Sequence, residues 1–386
     1  MAAPGSAPIS IVLESGTGSS TVATDSLLSA MLRSHEQVSD LIFSPGRLPQ
    51  VEIHGQLIAV QSPGLSPLSA DDTRRIASDL IGNNKQAIAT LREQGSCDVS
   101  FALPGLARFR VNVFIQRGSC AVVMRVIPTT VPDLTSLGLP AQLAEIATLR
   151  DGIVLVTGPR GSGKSSTLAA LLDLINREQV CHIITIEDPI EFLHNHKRAT
   201  IHQRELHSDT PSMPLALRAA LRQAPNVIFV SELRDRETAE MALEAAETGH
   251  LVLSSLNTLD VVQTWERIAG LFSLPEQSGI RSRLAKAARY MVSQRLLPRR
   301  DGRQLVPAVE ILKVHAGTID STDAREFSSQ TVLQTLKNGS SEGMQHFDGE
   351  IEKLVRANIV DLNTAMTYAT DPQGLRQALL DFRLQN

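Results

Sequence analysis

Nine residues, GPRGSGKSS at 158–166, match the pattern G-x-x-x-x-G-K-[ST]. Each position has a physical task. Gly158, Gly161 and Gly163 let backbone N–H groups wrap phosphate oxygens, with Pro159, Arg160 and Ser162 completing the loop between them. Lys164 brings an ammonium to the β- and γ-phosphates, and Ser165 offers a hydroxyl to Mg2+. Ser166 leads into the run STLAALLDLIN, a helix whose positive N-terminal end faces the same phosphates. The run IVLVT before the loop reads as a buried strand, which completes the strand–loop–helix context that this motif requires. The pattern predicts ATP and Mg2+ as the bound cofactors.

Cleaving a phosphoanhydride also needs a carboxylate to orient water or hold the metal. Two apolar runs end in acid. HIITIEDPIEF presents Glu187 and Asp188, and NVIFVSELRD presents Glu232. In open α/β sheets, ligand groups gather at the carboxyl ends of strands, so both runs deliver acids to the loop. Glu232 takes the position of the catalytic acid. Glu187 is expected to orient water or magnesium, and Asp188 fits a helix cap equally well.

These groups need a scaffold, and the pattern supplies one. From Asp151 the runs GIVLVTG, HIITIED, NVIFVSE and HLVLSSL alternate with helical stretches, the mark of a parallel sheet with crossovers that extends to VPAVEIL at 306–312. Upstream, DSLLSAMLRSHEQ reads as a helix with Asp25 as a possible cap, and SDLIFSPG and QVEIHGQLIAV read as strands around a Pro-Gly turn. Asp71 is placed to cap a helix over DDTRRIASDLI. ARFRVNVFIQRG alternates, with Phe109, Val111, Val113 and Ile115 on one face and Arg108, Arg110, Asn112 and Gln116 on the other. The predicted organisation is a loose tail over 1–24, an α+β domain over 25–128, a linker with a short helix over 129–150, an α/β nucleotide-binding domain over 151–315 and a helical region over 316–386. In the last, Phe347, Ile351, Leu354 and Val355 share a face, and Asp361 opens a further helix.

Composition excludes several functions. There are 37 Lys and Arg against 41 Asp and Glu, a net charge of −4, which does not suit a protein that coats duplex DNA. Aromatic residues are 3%, too few for a base-stacking platform, so no nucleic-acid partner is expected. Cys97, Cys120 and Cys181 are scattered, which excludes a cysteine zinc site and points to a reducing, cytoplasmic compartment. No run of ~18 apolar residues offers a transmembrane segment. The apolar stretch ISIVL near the N-terminus is too short for a secretory signal.

The ordered motifs GPRGSGKSSTLAALLDLIN, HIITIEDPIEF, QREL and ALRAALRQAPNVIFVSELRDRETAEMALEAAETGHLVLSSLNT resemble the PilT-like type IV pilus retraction ATPases of the secretion-ATPase superfamily. The resemblance extends to SDLIFSPGRLP, LARFRVNVFIQRG and GMQHFDGEIEKL. It implies a PAS-like α+β N-terminal domain followed by a RecA-like P-loop ATPase domain with a helical C-terminal tail. It further implies a homo-hexameric ring that hydrolyses ATP to retract pili in twitching motility. The partners implied are an inner-membrane pilus platform protein and a PilT or PilU paralogue, with the motor lying peripherally at the inner face of that membrane. By resemblance Glu187 falls in the Asp box, Glu232 in the Walker B motif, and His250 begins the His box. Arg108, Arg110 and Arg117 fall in the N-domain strand from which the family reaches nucleotide across a subunit boundary. Charge neutralisation on the transferring phosphoryl group is the reason to expect cations there, although a solvated arginine face also fits an alternating strand. Arg218 and Arg222 share that ambiguity.

Three departures from the family pattern stand out. Ser231 replaces the glycine before the Walker B acid, Asn257 replaces the second histidine of the His box, and the retraction motif is not recognisable in HAGTIDSTDAREFSS. They favour, as the alternative, a PilU-like accessory ring subunit with weak ATPase activity. An extension or type II secretion ATPase is disfavoured because its usual tetracysteine insert is missing, and a helicase by charge and aromatic content.

Lys164→Ala tests the loop assignment. Its ammonium works on phosphate rather than on packing, so the variant should lose ATP binding or turnover while its melting temperature stays unchanged. Wild-type turnover in the purified variant would overturn the assignment.

Overall fold

The computed structural model describes residues 8–12, 23–128, 130–302, 304–315 and 329–385. All but the two end residues of HAGTIDSTDAREFSS, and most of the 1–24 tail, lie outside the described residues. The chain divides into two compact units, Met1–Thr129 with Glu191–Leu193, and Thr130–Ile190 with His194–Asn386.

The first unit contains β1 (Ile9–Ser10), α1 (Thr24–Arg33), β2 (Val38–Phe43), β3 (Gln50–Ile53), β4 (Gln56–Gln61), α2 (Ala70–Ile81), α3 (Lys85–Gln94), β5 (Ser96–Leu103), β6 (Ala107–Gln116) and β7 (Ser119–Ile127). The strands form one sheet in the order β1-β4-β3-β2-β7-β6-β5, antiparallel except where β1 runs parallel to β4. Leu28, Met31, Phe43, Ile76 and Phe109 anchor its core.

Several local expectations are corrected here. Part of the tail is ordered: Ile9 and Ser10 pair with Val60 and Gln61. QVEIHGQLIAV is not one strand but a hairpin, because His54 and Gly55 both take positive φ (53° and 76°) and form a two-residue turn that matches strand twist. Ser69, not Asp71, caps α2, in a reciprocal capping box with Asp72. Asp25 does not cap α1 but lies in its first turn. Helix α3 was not expected; Asn84 caps its start and Gly95, left-handed at φ 79°, ends it. On β6, Phe109, Val111 and Val113 are buried, but Ile115 is exposed near the strand's end.

The second unit contains a 3₁₀ helix (Ala141–Thr148), β8 (Gly152–Thr157), α4 (Lys164–Glu178), β9 (His182–Glu187), β10 (Thr200–Glu205), α5 (Met213–Ala220), β11 (Val227–Val230), α6 (Arg236–Glu247), β12 (Leu251–Leu256), α7 (Val261–Ala269), α8 (Gln277–Ala287), β13 (Ala288–Pro298) and β14 (Leu305–Lys313). It closes with α9 (Ser329–Asn338), α10 (Phe347–Arg356), α11 (Leu362–Tyr368) and α12 (Pro372–Gln385). The sheet order is β10-β9-β11-β12-β8-β13-β14. All neighbours are parallel except β13 and β14, which form an antiparallel edge hairpin where a purely parallel sheet was expected. Helix α4 and the 3₁₀ helix cover one face; α5, α6, α7 and α8 cover the other. The segment 130–150 is therefore no simple linker: Leu143, Ile146 and Ala147 recur at helical spacing and are buried with β8 and α4. In the C-terminal region Phe347 and Ile351 are buried with Leu297 and Ala308 of the edge hairpin, and Asp361 caps α11.

One buried acid ties this unit together. Glu310 on β14 accepts the backbone N–H of Val261, the first residue of α7, at 3.1 Å, and that of Phe347, the first residue of α10. Two helix N-termini thus share one carboxylate, each offering donors that have no partner within their own helix. Burial nonetheless pushes its pKa up from 4.5 to about 7, with Asp260 adding to the rise and Arg295 opposing it. A carboxyl whose folded pKa is raised holds its proton longer in the native state than in the unfolded chain. Wild type must therefore lose stability relative to a neutral isostere as pH climbs from 4.5 to about 7. The melting temperature of Glu310→Gln should gain on wild type through that window and level off above it, by roughly 3 kcal/mol in stability. A constant difference at all pH values would show that Glu310 does not titrate there.

Candidate active site

The site is assembled on one edge of the second sheet, where its parallel strands end. The fully buried strand β8 delivers the chain into the loop at Gly158. A Cβ on Gly158 would lie 2.4 Å from the Gln294 carbonyl oxygen of β13 and 2.4 Å from the Ser162 hydroxyl, so no side chain fits. Gly163 caps α4 in the left-handed conformation, φ 89°, which turns the loop's N–H groups toward the helix axis. Lys164 folds back over the loop, its Nζ donating to the carbonyls of Gly158 (2.8 Å) and Pro159 (2.9 Å). The ammonium is thereby held at the loop's mouth. Ser165 and Ser166 follow in the first turn of α4, half-buried.

Glu187 ends β9 and is buried. Its Oε1 accepts from the Thr185 hydroxyl at 2.6 Å and from Gln203 Nε2 of β10 at 2.9 Å. Glu232 stands two residues beyond β11. Its Oε2 accepts from Arg234 Nε at 2.9 Å and its Oε1 from Asn257 Nδ2 at 2.7 Å. Arg234 also reaches Asp188 at 3.0 Å, so Asp188 serves in an ion pair rather than as a helix cap. Bonding to Glu232, and next the pull of Asp188, holds the Arg234 guanidinium charged even more firmly than usual. Ser231 is tied into the sheet through its backbone: its N–H donates to Ile186, and its carbonyl accepts from the Ser255 hydroxyl.

Asn257 immediately follows β12, the strand between β11 and β8. Its amide thus lies at the end of a strand interposed between the strand that leads to Glu232 and the strand of the phosphate loop. The structure directs the Asn257 donor to Glu232. Beneath it runs a chain of buried hydroxyls. Ser293 meets Thr157 at 2.8 Å, Thr157 meets Thr264 at 3.3 Å, and Thr264 meets Thr258 at 2.6 Å. This ladder links the strand under Gly158 with the loop that carries Asn257.

His250 is a correction. It precedes β12, at the opposite end of the strand from the loop, where its backbone carbonyl accepts from Gly152 N and its ring meets the Ala245 carbonyl at 3.0 Å. Six residues of strand separate it from Asn257, about 20 Å at strand rise. Its ring and backbone N–H both meet the Ala245 carbonyl, which caps the preceding helix. Arg108, Arg110 and Arg117 belong to the first unit. Arg108 is half-buried on β6, Arg110 is exposed beside Asp98 at 3.9 Å, and Arg117 is exposed in the turn after β6 with φ 47°. Arg218 pairs with Glu237 at 3.2 Å, and Arg222 lies beyond the end of α5, so the two do not share a helix face.

Arg234, Thr185, Gln203 and the hydroxyl ladder were missed by sequence reasoning. Arg234 had a signal, being two residues after the acid in SELRD. Thr185 acts two residues from Glu187 on the same strand, whereas Gln203 and the Thr157 bonds of the ladder acquire meaning only through contacts between separate elements.

The arrangement suits in-line attack of water on a terminal phosphate: a cationic loop binds, and a carboxylate held by two donors aligns the water. Glu232→Gln keeps the shape and loses the charge, so it should bind nucleotide but turn over on the order of a hundredfold more slowly. Unchanged single-turnover rates in that variant would move the role to Glu187.

The comparisons with known proteins agree with this geometry. Residues 51–367 match the family model described as Type II/IV secretion system protein. The chain is 39% identical over 327 residues to a twitching motility protein of Neisseria gonorrhoeae, covering 85% of this chain and 86% of the relative. It is 38% identical over 337 residues to the type IV pilus retraction ATPase PilT of Pseudomonas aeruginosa, covering 87% and 95%. A crystal structure of the pilus retraction motor PilT with bound ADP superposes with a TM-score of 0.77 at 38% identity, covering 88% of this chain and 95% of that one. The chain belongs to the type II/IV secretion system protein family and, within it, to the PilT-like ATPases.

Proposed function

We propose that this chain is the subunit of an ATP-hydrolysing motor that powers retraction of a type IV pilus. The observation that carries the reading is the bridge from Asn257 to Glu232 beside a complete phosphate loop, in a chain whose relatives along most of their length are retraction motors. ATP supplies the phosphoryl chemistry. Lys164 and the loop N–H groups bind its phosphates, Glu232 orients the attacking water, and Glu187 supports that water or the metal.

Magnesium fits the oxygen donors present. Ser165 is the direct ligand in this reading, and the carboxylates of Glu187 and Glu232 act around it. The described residues contain no cluster of three or more His, Cys, Asp or Glu that could form an all-protein metal site. This accords with an ion that is held mainly by phosphate and water.

The working assembly is a homo-hexamer in which Arg108, Arg110 and Arg117 neutralise phosphate charge across a subunit boundary. It acts at the cytoplasmic face of the inner membrane on a pilus platform protein. Among the described residues no helix is long and apolar enough to cross a membrane, which fits docking rather than insertion. The second reading is an accessory ring subunit that works with a PilT or PilU paralogue. It is favoured by Asn257 in place of histidine and by 34% identity to the type IV pilus ATPase PilU of Pseudomonas aeruginosa. An asparagine donates a hydrogen bond but cannot become cationic, so it stabilises developing charge less. Steady-state turnover separates the two readings.

Mixing Lys164→Ala subunits with Arg110→Ala subunits tests the ring. If the arginines act between subunits, some boundaries in the mixture regain a complete site and activity recovers above either variant alone. A monomeric mass with full ATPase activity would rule the ring out.

A further inference from the structure

Three imidazoles meet where β9 and β10 begin. His182 opens β9, His202 is the third residue of β10, and His196 lies in the segment between the strands. In the parallel register His182 stands opposite Thr200 and His202 opposite Ile184, so these two are diagonal neighbours on one face of the sheet. The His182 and His202 rings are edge-on with centroids 5.1 Å apart, and those of His196 and His202 are 5.9 Å apart. His182 Nε2 and His202 Nδ1 approach to 2.9 Å.

Hydrogen bonding fixes what each ring can offer. The Ala224 carbonyl, 3.3 Å from His182 Nδ1, can only accept. Nδ1 therefore carries the proton, and the neutral ring turns the lone pair of Nε2 toward His202. The His182 backbone is clamped as well: its N–H donates to Asn226 Oδ1 at 2.9 Å, and its carbonyl accepts from Asn226 N at 2.8 Å. A ring that donates one N–H to a carbonyl and presents its other nitrogen is oriented as metal-binding histidines are. His202 Nδ1 donates to that lone pair. Moving its proton to Nε2 places a second lone pair beside the first. His196 differs: its Nδ1 accepts the Ile201 N–H at 3.1 Å, so its neutral ring keeps the proton on Nε2 and has no lone pair to give.

We propose that His182 Nε2 and His202 Nδ1 form an open site for a divalent transition-metal ion of the Zn2+ or Cu2+ kind, with water in the remaining positions. Imidazole nitrogen suits these ions, whereas Mg2+ takes oxygen. Two nitrogens each ~2.1 Å from such an ion at a tetrahedral angle are ~3.4 Å apart, so the pair has to open by about half an ångström. Two protein ligands agree with the lack, among the described residues, of any group of three or more His, Cys, Asp or Glu able to hold a metal. The site is separate from the magnesium of the phosphate loop. His182 and Glu187 are the first and last residues of β9, about 17 Å apart at strand rise. β10 is the outermost strand and pairs with β9. An ion here clamps the two strands where they begin, and so stiffens the pair that carries Glu187 and Gln203.

The test uses Cu2+ and Zn2+ alone on the full chain without nucleotide. One equivalent of Cu2+ should give a paramagnetic resonance spectrum split by two imidazole nitrogens, and His182→Asn or His202→Asn should leave one. Calorimetric titration with Zn2+ should show a site weakened about tenfold or more in either variant and held within about twofold in His196→Asn. His196 and His202 are exposed, so their substitution leaves the core intact. The same spectrum and affinity in wild type, His182→Asn and His202→Asn would put the ion on other histidines and overturn the site. Weakening by His196→Asn equal to that by His202→Asn would overturn the ligand assignment. A wild-type chain that binds neither ion would overturn the proposal outright and leave the nucleotide reading untouched.

Discussion

Everything at the active edge depends on how closely Gly158 approaches its surroundings. The Gln294 carbonyl of β13 and the Ser162 hydroxyl stand where a Cβ would have to be. That contact locks the first residue of the phosphate loop against a neighbouring strand. The loop is therefore positioned by the sheet rather than by its own turns. Gly163 then starts α4 in a conformation that side-chain-bearing residues rarely adopt, and the loop's donors converge. Phosphate recognition by this chain follows from backbone geometry, with Lys164 adding charge to a cradle already formed.

The groups around that cradle are held by polar pairs spanning adjacent strands. Glu232 takes one donor from its own loop, Arg234, and one from beyond β12, Asn257. Glu187 takes one from its own strand, Thr185, and one from β10, Gln203. Each acid is thus oriented by a near and a distant partner, and neither can rotate without losing a hydrogen bond in a partly desolvated place. The ladder from Ser293 through Thr157 and Thr264 to Thr258 carries the same logic below the surface. Glu310 extends it by fixing the start of α7, which follows directly on the Asn257 loop, together with the start of α10. A displacement of the C-terminal helices would be felt at α7, and through it at the loop that touches Glu232.

This layout gives two of the three departures from the family pattern a physical meaning. Ser231 acts through its backbone, which pairs with Ile186 and Ser255, so a side chain is accommodated where glycine is usual. Asn257 keeps a donor on Glu232 but cannot carry a proton-linked charge. The structure therefore locates the change in how Glu232 is held, rather than in whether nucleotide binds.

Much of this was legible in the amino-acid sequence, and what was legible shares one property: it is local. The strand–loop–helix of 152–178, the acids closing HIITIE and VIFVSE, the alternation of β6 and the cap at Asp361 are each specified within about ten residues, where period, glycine and capping chemistry act directly. Some misreadings are local, such as the hairpin at His54–Gly55 and the cap at Ser69, where two neighbouring residues could each do the task; the ones that bear on the site are not. One histidine of the TGH segment looked as close to the loop as Asn257 because the sequence gives no direction along β12; only the parallel register with β8 puts His250 at the far end. Residues 130–150 resembled a linker until their apolar face met α4. The Gln203 donor to Glu187 and the Asn257 donor to Glu232 lie 16 and 25 residues away, and the hydroxyl bonds of Thr157 to Thr264 and Ser293 span 107 and 136. The chain alone decided which groups are present and which short segments carry them. The tertiary fold decided which of them meet, because hydrogen bonds and packing between strands depend on register, and register is a property of the assembled sheet.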